Sequence, residues 1–99
     1  MNIGEVYTFK LNSGEEVVAK IIEINSDKNE VIISNPVSIA PNQKGIGLMP
    51  SMFTADPDSN VKLNTNSVSI IAPTEDSVKL KYIEATTGIT VPDKKLILG

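Results

Sequence analysis

Two short turn signals divide the first third of the chain into three apolar runs. The runs span 6–11, 15–24 and 30–39, and the polar turns between them are 12–14 and 25–29. The first run has apolar side chains at every second position, which is typical of a half-buried β-strand. The segment 12–14 reads Asn-Ser-Gly, and its glycine can adopt the positive φ angle that a short hairpin loop needs. The pattern therefore predicts a strand–turn–strand–turn–strand unit.

The second run changes the face on which its apolar residues lie. Val17, Ala19 and Ile21 share one parity, whereas Ile22 and Ile24 have the other. A strongly bent strand that contributes to two sides of a small barrel produces such a change. We therefore expect a bend in the second strand.

Prolines interrupt two later apolar runs. Pro36 lies within 30–39, and Pro50 lies within the apolar segment 45–53. Because proline has no N–H to donate to a strand ladder, we expect position 36 at a bulge or an edge and 45–53 as an edge strand. An apolar edge invites pairing with another chain, so we expect a second copy of the chain to cover 45–53.

Short apolar runs at 61–63 and 67–72, separated by a tight turn, predict the last strands. Together the runs predict a mostly β fold, a small bent five-stranded antiparallel barrel with a short C-terminal helix. A length of 99 residues predicts a single domain, 1–99. The barrel is expected over about 3–72, and the helix and tail over about 73–99.

The segment from Thr74 to Gly88 predicts the helix. Thr74 can cap it, and the two acidic residues that follow suit the positive end of the helix dipole. Val78 and Tyr82 belong to an apolar stripe at helical spacing. The residues 78–82 also alternate, so a strand over this stretch is the alternative.

The tail 89–99 contains an apolar run at 96–98. Exposure of such a run to water is unfavourable, so we expect it to dock on the rest of the fold.

Missing residue types restrict the chemistry of the chain. It contains no cysteine, histidine or arginine, and its nine cationic side chains are all lysines. Disulfides and thiolate or imidazole metal ligands are therefore excluded, and no guanidinium is available for phosphate or guanine. No nucleophile has a base at a recognisable spacing, and no phosphate-binding loop is present. We expect no enzyme, no catalytic residue, no metal site and no cofactor.

Charge and hydropathy indicate where the chain works. Proteins that bind nucleic acid mainly through phosphates are usually basic, whereas this chain has a formal net charge of −3. Any nucleic-acid site would have to be local. The sequence has no apolar run of about eighteen residues and no leader pattern. We therefore expect no membrane contact and a cytoplasmic location, in the host cytoplasm if a phage encodes the chain.

The first strand–turn–strand unit contains a recognisable spacing of apolar and turn residues. It is formed by Leu11, Gly14, Val17, Ala19, Ile21, Ile24, Asn25, Asn29, Val31 and Ile32. At this spacing the unit resembles the first motif of the Sm and LSm proteins, which are RNA-binding rings built on a bent five-stranded, SH3-like barrel. Residues 63–71 resemble the second motif, with Asn64 and Thr65 where the family has a cation and a glycine. The resemblance covers about half of the chain and extends to Sm-like proteins of marine phage type.

In Sm-like rings the turns of the two motifs meet near the central pore and bind RNA. The resemblance implies that Asn29 reads a base edge, that Asp27 lies at the base-stacking position and that Asn64 lies at the cation position. The implied nucleic-acid-binding residues are Asn25, Asp27, Lys28, Asn29, Asn64 and Thr65. The alternative is that Asn25, Asp27 and Asn29 are ordinary turn formers.

The resemblance also implies a homo-oligomeric ring. In such a ring the strand 45–53 of one copy would pair with the strand 67–72 of the next, and the ring would bind RNA or single-stranded DNA. The alternative is a structural or protein-interaction barrel, such as a phage accessory component, without a nucleic-acid role. The absence of arginine and the acidic balance of the chain favour this alternative.

Overall fold

A computed structural model of the protein describes residues 1–43 and 45–87. Its strands are β1 (Val6–Leu11), β2 (Glu16–Asn25), β3 (Glu30–Asn42), β4 (Gly45–Pro50), β5 (Val61–Asn64) and β6 (Val68–Pro73). Two 3-10 turns, which we call the first turn (Ser26–Lys28) and the second turn (Thr65–Ser67), follow β2 and β5, and a helix, α1 (Asp76–Thr87), ends the described chain. The tail 89–99 and its expected docking lie outside the described residues.

All strand pairs are antiparallel. Five strands form one path in the order β4-β3-β2-β1-β6, and β5 pairs with the first residues of β3. The expected mostly β, antiparallel fold with a C-terminal helix is therefore confirmed, and residues 78–82 are helical. Strand β4 is shorter than the expected 45–53 and ends at Pro50.

Register shifts bend the central pair of strands. In the β2–β3 ladder, Val18 pairs with Val37 and Lys20 pairs with Ser34, so Asn35 and Pro36 together face the single residue Ala19. A second shift lies between Ile21 and Glu23 of β2. An extra residue on one strand sharpens the local twist and bends the strand. The expected bulge at Pro36 is observed, and the second register shift, at Ile22, lies where the bend of the second strand is expected.

Two apolar clusters lie on opposite faces of the sheet. One cluster, formed by Tyr7, Phe9, Ala19, Ile21, Val31 and Ile33, packs against apolar residues of β5 and β6. The other cluster, formed by Val6, Val18, Val37 and Tyr82, lies under α1. Consecutive residues of a strand point to opposite faces of the sheet, so Val18 belongs to the helix side and Ala19 to the other side.

Tyr82 fixes α1 to the sheet at the bulge. Its hydroxyl accepts a hydrogen bond from the backbone N–H of Lys20 (3.1 Å) and donates one to the carbonyl oxygen of Ser34 (2.9 Å). The phenol therefore connects β2 and β3 where the bulge interrupts their ladder. Burial raises the pKa of Tyr82 to about 12.

The two outer strands of the path are open edges. Within residues 1–43 and 45–87, β4 pairs only with β3 and β6 pairs only with β1, so pairing does not close the sheet. Four apolar side chains on these edge strands are exposed, namely Ile46, Met49, Ile70 and Ile71. Within residues 1–43 and 45–87, no helix is long and apolar enough to cross a membrane.

Candidate nucleic-acid interface

The two turns of the candidate site lie side by side. The backbone N–H of Thr65 donates a hydrogen bond of 2.8 Å to the carbonyl oxygen of Asn29. Asn64, the last residue of β5, pairs with Glu30, the first residue of β3. The structure thus brings together the end of the first turn and the start of the second turn.

The first turn ends on a residue with a left-handed backbone. Asn29 has a φ angle of 53°, and its N–H donates to the carbonyl oxygen of Ser26 (3.3 Å). Asparagine tolerates this conformation better than other residues with a side chain, which explains the residue type locally. The Asn29 side chain is exposed, and its amide has no hydrogen-bond partner among the described residues. This amide is therefore available to both donate and accept hydrogen bonds.

Asn25 has a different role at the other end of the first turn. Its Nδ2 donates to a carboxylate oxygen of Glu23 (2.9 Å) and to one of Glu30 (3.1 Å). Both donor hydrogens of the amide are therefore engaged with side chains of β2 and β3. Asn25 is expected to hold the end of this hairpin, with only its Oδ1 left to accept a hydrogen bond.

The second turn also uses an asparagine side chain internally. Oδ1 of Asn64 accepts a hydrogen bond from the N–H of Asn66 (2.8 Å), and the Ser67 hydroxyl donates to the carbonyl oxygen of Asn64 (2.7 Å). Asn64 therefore caps the 3-10 turn. Thr65 is half-buried, whereas Asn66 is exposed. The side-chain amide of Asn66 has no hydrogen-bond partner in the part of the chain that is described.

A third turn joins the site, which sequence reasoning missed. The Asn12 backbone N–H donates to the carbonyl oxygen of Ser67 (2.8 Å), and its Nδ2 donates to the carbonyl oxygen of Asn66 (2.9 Å). The β1–β2 turn is therefore hydrogen-bonded to the second turn. The only signal for this contact in the sequence is that asparagines lie in or directly beside all three turns. We call this group the asparagine cluster, and it consists of Asn12, Asn25, Asn29, Asn64 and Asn66.

Charges around the asparagine cluster are more acidic than basic. Lys28 is exposed and has no carboxylate within salt-bridge distance among the described residues. Asp27 is exposed in the same turn, and Glu23 and Glu30 flank Asn25. Lys28 is the only cation within 25–29 and 64–67, and one lysine provides little attraction for a phosphate chain. Hydrogen bonding by amides is therefore the main chemistry that these turns can offer.

Aromatic side chains are not part of the cluster. Of the four aromatic residues in the sequence, Tyr7, Phe9 and Tyr82 are buried, and Phe53 lies on the loop between β4 and β5. Asp27, which the resemblance puts at the base-stacking position, has no aromatic face. Residues 1–43 and 45–87 also contain no group of three or more acidic side chains that could hold a metal ion.

Comparison of the sequence with protein-family models gave no match, and comparison with curated proteins gave no significant match.

Proposed function

We propose that this chain is an Sm-like barrel that assembles into a homo-oligomeric ring and binds RNA or single-stranded DNA weakly. The observation that carries the proposal is the contact between Asn29 and Thr65, which puts both motif turns at one place. The side-chain amides of Asn29 and Asn66, which have no partner among the described residues, would read base edges there. Ring assembly and nucleic-acid binding require no catalysis, and we propose no enzymatic activity.

The strand order supports a barrel. The path β6-β1-β2-β3 continues through β3 to β5, and β5 returns to β6 through the three residues of the second turn. Backbone hydrogen bonds tie this turn to Asn29 on one side and to Asn12 on the other. A strongly bent β2 would bring these strand ends together, as in a small barrel closed partly by a turn.

The proposed mechanism is amide readout with one phosphate contact per copy. An asparagine amide can donate to and accept from a base edge at the same time. Lys28 would contact a phosphate of the nucleic-acid backbone next to that base. Because each copy contributes few charges, binding at a single copy would be weak. A ring would present several such sites to one strand and raise the overall affinity without new contacts.

The open edges support assembly. Strand β4 of one copy would pair with β6 of the next, which would satisfy the unpaired backbone groups of both edges. The pairing would also cover apolar side chains that are exposed on a single chain, where Met49 is 43% exposed and Ile70 is 61% exposed. Apolar residues on an unpaired edge are otherwise an aggregation hazard.

The second candidate function is a structural or protein-interaction barrel without a nucleic-acid role. The carboxylates of Glu23, Asp27 and Glu30 favour it, as does the presence of only one cation, Lys28, within the two turns. The open sheet edges allow assembly in either candidate, so oligomeric state does not distinguish them. A titration of the intact oligomer with short U-rich and A-rich RNA does, because only the first candidate predicts binding at low salt.

A further inference from the structure

An apolar cleft of about 230 Å³ lies where three parts of the fold meet. These parts are the β3 bulge, the loop between β4 and β5, and the last turn of α1. Its apolar lining includes Pro36, Pro50, Met52, Pro57, Val61 and Ala85. Because proline has a fixed φ angle, the three prolines restrict the backbone and the cleft is largely preformed. None of its lining residues belongs to the asparagine cluster.

The apolar surface continues beyond the cleft. Met52, which lines the cleft, is 46% exposed, and the next residue, Phe53, is 79% exposed. Phe53 is also the only one of the four aromatic side chains that is not buried. A preformed cleft with large apolar side chains exposed at its mouth is typical of a binding site.

The rim of the cleft is negatively charged. Asp56 lines the cleft and Asp58 follows on the same loop, while neither the loop 51–60 nor the described lining contains a lysine. One carboxylate oxygen of Asp56 accepts a hydrogen bond from the N–H of Asp58 (2.9 Å). Its other carboxylate oxygen has no partner within the described residues, and neither aspartate forms a salt bridge there. The rim therefore lacks a cation.

An asparagine side chain adds a hydrogen-bonding group to the same cleft. Asn35 lies at the β3 bulge, and its φ angle of 49° is one that asparagine tolerates. Its side chain is exposed and lines the cleft, and its amide has no hydrogen-bond partner in the described part of the chain. One amide can donate to and accept from the backbone of an extended peptide.

We propose that this cleft binds an extended segment of a partner protein in which apolar residues are followed by lysine or arginine. An apolar side chain of the segment fills the cleft, and the cation pairs with Asp56 and Asp58. The amide of Asn35 holds the backbone of the segment. The inference holds for both candidate functions, because it uses no residue of the asparagine cluster.

Charge disfavours nucleic acid at this place. Two carboxylates without a cation repel phosphates, so the loop 51–60 provides none of the attraction on which nucleic-acid binding depends. The same two carboxylates attract a basic segment. A basic and apolar protein segment is therefore the occupant that both the lining and the rim favour.

Fluorescence anisotropy with a labelled peptide of three leucines followed by two lysines tests the proposal on the full-length chain. We expect saturable binding of this peptide. A control peptide with two glutamates in place of the lysines should bind at least about tenfold more weakly. Equal binding of the two peptides, or no binding of the lysine peptide, would overturn the proposal.

Two charge variants distinguish the rim from the overall charge of the protein. D56N/D58N should bind the lysine peptide about five- to tenfold more weakly, since two exposed ion pairs are lost. E5Q/E15Q removes the same number of negative charges at exposed positions that do not line the cleft, so its affinity should equal that of the unchanged chain. Equal losses in the two variants would mean that the peptide only senses net charge, which would contradict a site at the rim.

A substitution in the wall tests the cleft itself. A85L puts a larger side chain into it at a helical position where leucine is favourable, and should weaken peptide binding about tenfold, whereas A85S should not. Urea denaturation with similar midpoints verifies that both variants are folded. A lower molar mass of A85L in light scattering would assign the cleft to another copy of the chain, and a loss of RNA binding in A85L would assign it to nucleic acid. Either result would overturn the proposal.

Discussion

The N–H of Thr65 donates a 2.8 Å hydrogen bond to the carbonyl oxygen of Asn29, and this bond joins two turns that are far apart in the sequence. Because the contact is between backbone groups, it does not depend on which side chains the turns carry. The bond therefore leaves the side-chain amide of Asn29 unused. The side-chain amides of Asn29 and Asn66 are exposed and form no hydrogen bond among the described residues, and the proposed recognition depends on them.

The amides of Asn29 and Asn66 should carry the binding of RNA. We expect N29G and N66A each to weaken binding about five- to tenfold, the effect of about 1 kcal/mol for a lost hydrogen bond. Glycine is chosen at position 29 because the φ angle of 53° would strain alanine. The measurement is fluorescence anisotropy with labelled RNA, and N60A, an exposed asparagine on another loop, is the control. Unchanged affinity in both variants would contradict the proposed readout.

Asn64 should matter for stability more than for recognition. Its Oδ1 caps the second turn through the N–H of Asn66, so N64A should lower the free energy of unfolding by about 1 kcal/mol. Urea denaturation measures this change. A variant that loses affinity but keeps its full stability would show that Asn64 contacts nucleic acid directly.

The hydroxyl of Tyr82 should stabilise the fold through its two hydrogen bonds. Y82F leaves the backbone N–H of Lys20 and the carbonyl of Ser34 without this partner, which should cost about 1–3 kcal/mol of unfolding free energy. Y7F is the matched control, because the Tyr7 hydroxyl has no hydrogen-bond partner among the described residues. We expect a change below about 0.5 kcal/mol for Y7F in urea denaturation. Equal effects of the two substitutions would mean that the bridge contributes nothing specific.

Alkaline pH should destabilise the protein through Tyr82. Its pKa of about 12 in the folded state lies above the usual value near 10, so the unfolded chain loses this proton first. The stabilisation is complete below pH of about 10 and is lost as pH rises towards 12, by about 2–3 kcal/mol in total. The difference in unfolding free energy between the unchanged chain and Y82F should therefore shrink as pH rises from roughly 8 to roughly 11, because the loss begins near pH of about 10. A constant difference over this range would be inconsistent with the raised pKa.

The open edges should hold the oligomer together. Light scattering of the unchanged chain should give a molar mass that is a multiple of 10.6 kDa. M49K and I70K put a charge on the edges β4 and β6, so both should shift the protein towards single chains. I3K is the control, since Ile3 is 65% exposed but lies outside both edge strands. A single-chain mass for the unchanged protein would refute the proposed ring.

Most of the fold could be predicted from local patterns. The alternation of 6–11, the turn glycine at Gly14 and the proline at position 36 each reflect a local rule, and each prediction agrees with the structure. The change in apolar parity of β2 likewise lies at an observed register shift, at Ile22. Local rules failed at the end of β4, where the apolar pattern continues to Phe53 but the strand ends at Pro50.

Long-range hydrogen bonds could not be predicted in the same way. The helical stripe indicated that Tyr82 is buried, but its bonds to Lys20 and Ser34 depend on a bulge formed by two distant strands. Likewise, turn residues of one type look alike in a sequence. Only the contacts distinguish Asn64, which caps its own turn, from Asn66, whose side-chain amide has no partner among the described residues.

The most direct test of the central claim is an RNA titration of the intact oligomer at low and at moderate salt. We expect measurable binding of short U-rich or A-rich RNA at low salt. Each copy whose Lys28 contacts a phosphate should add about 0.7 to the slope of the salt dependence. N29G combined with N66A should abolish this binding while the oligomer remains assembled. No binding of either RNA to an intact oligomer at low salt would contradict the account and favour the structural barrel.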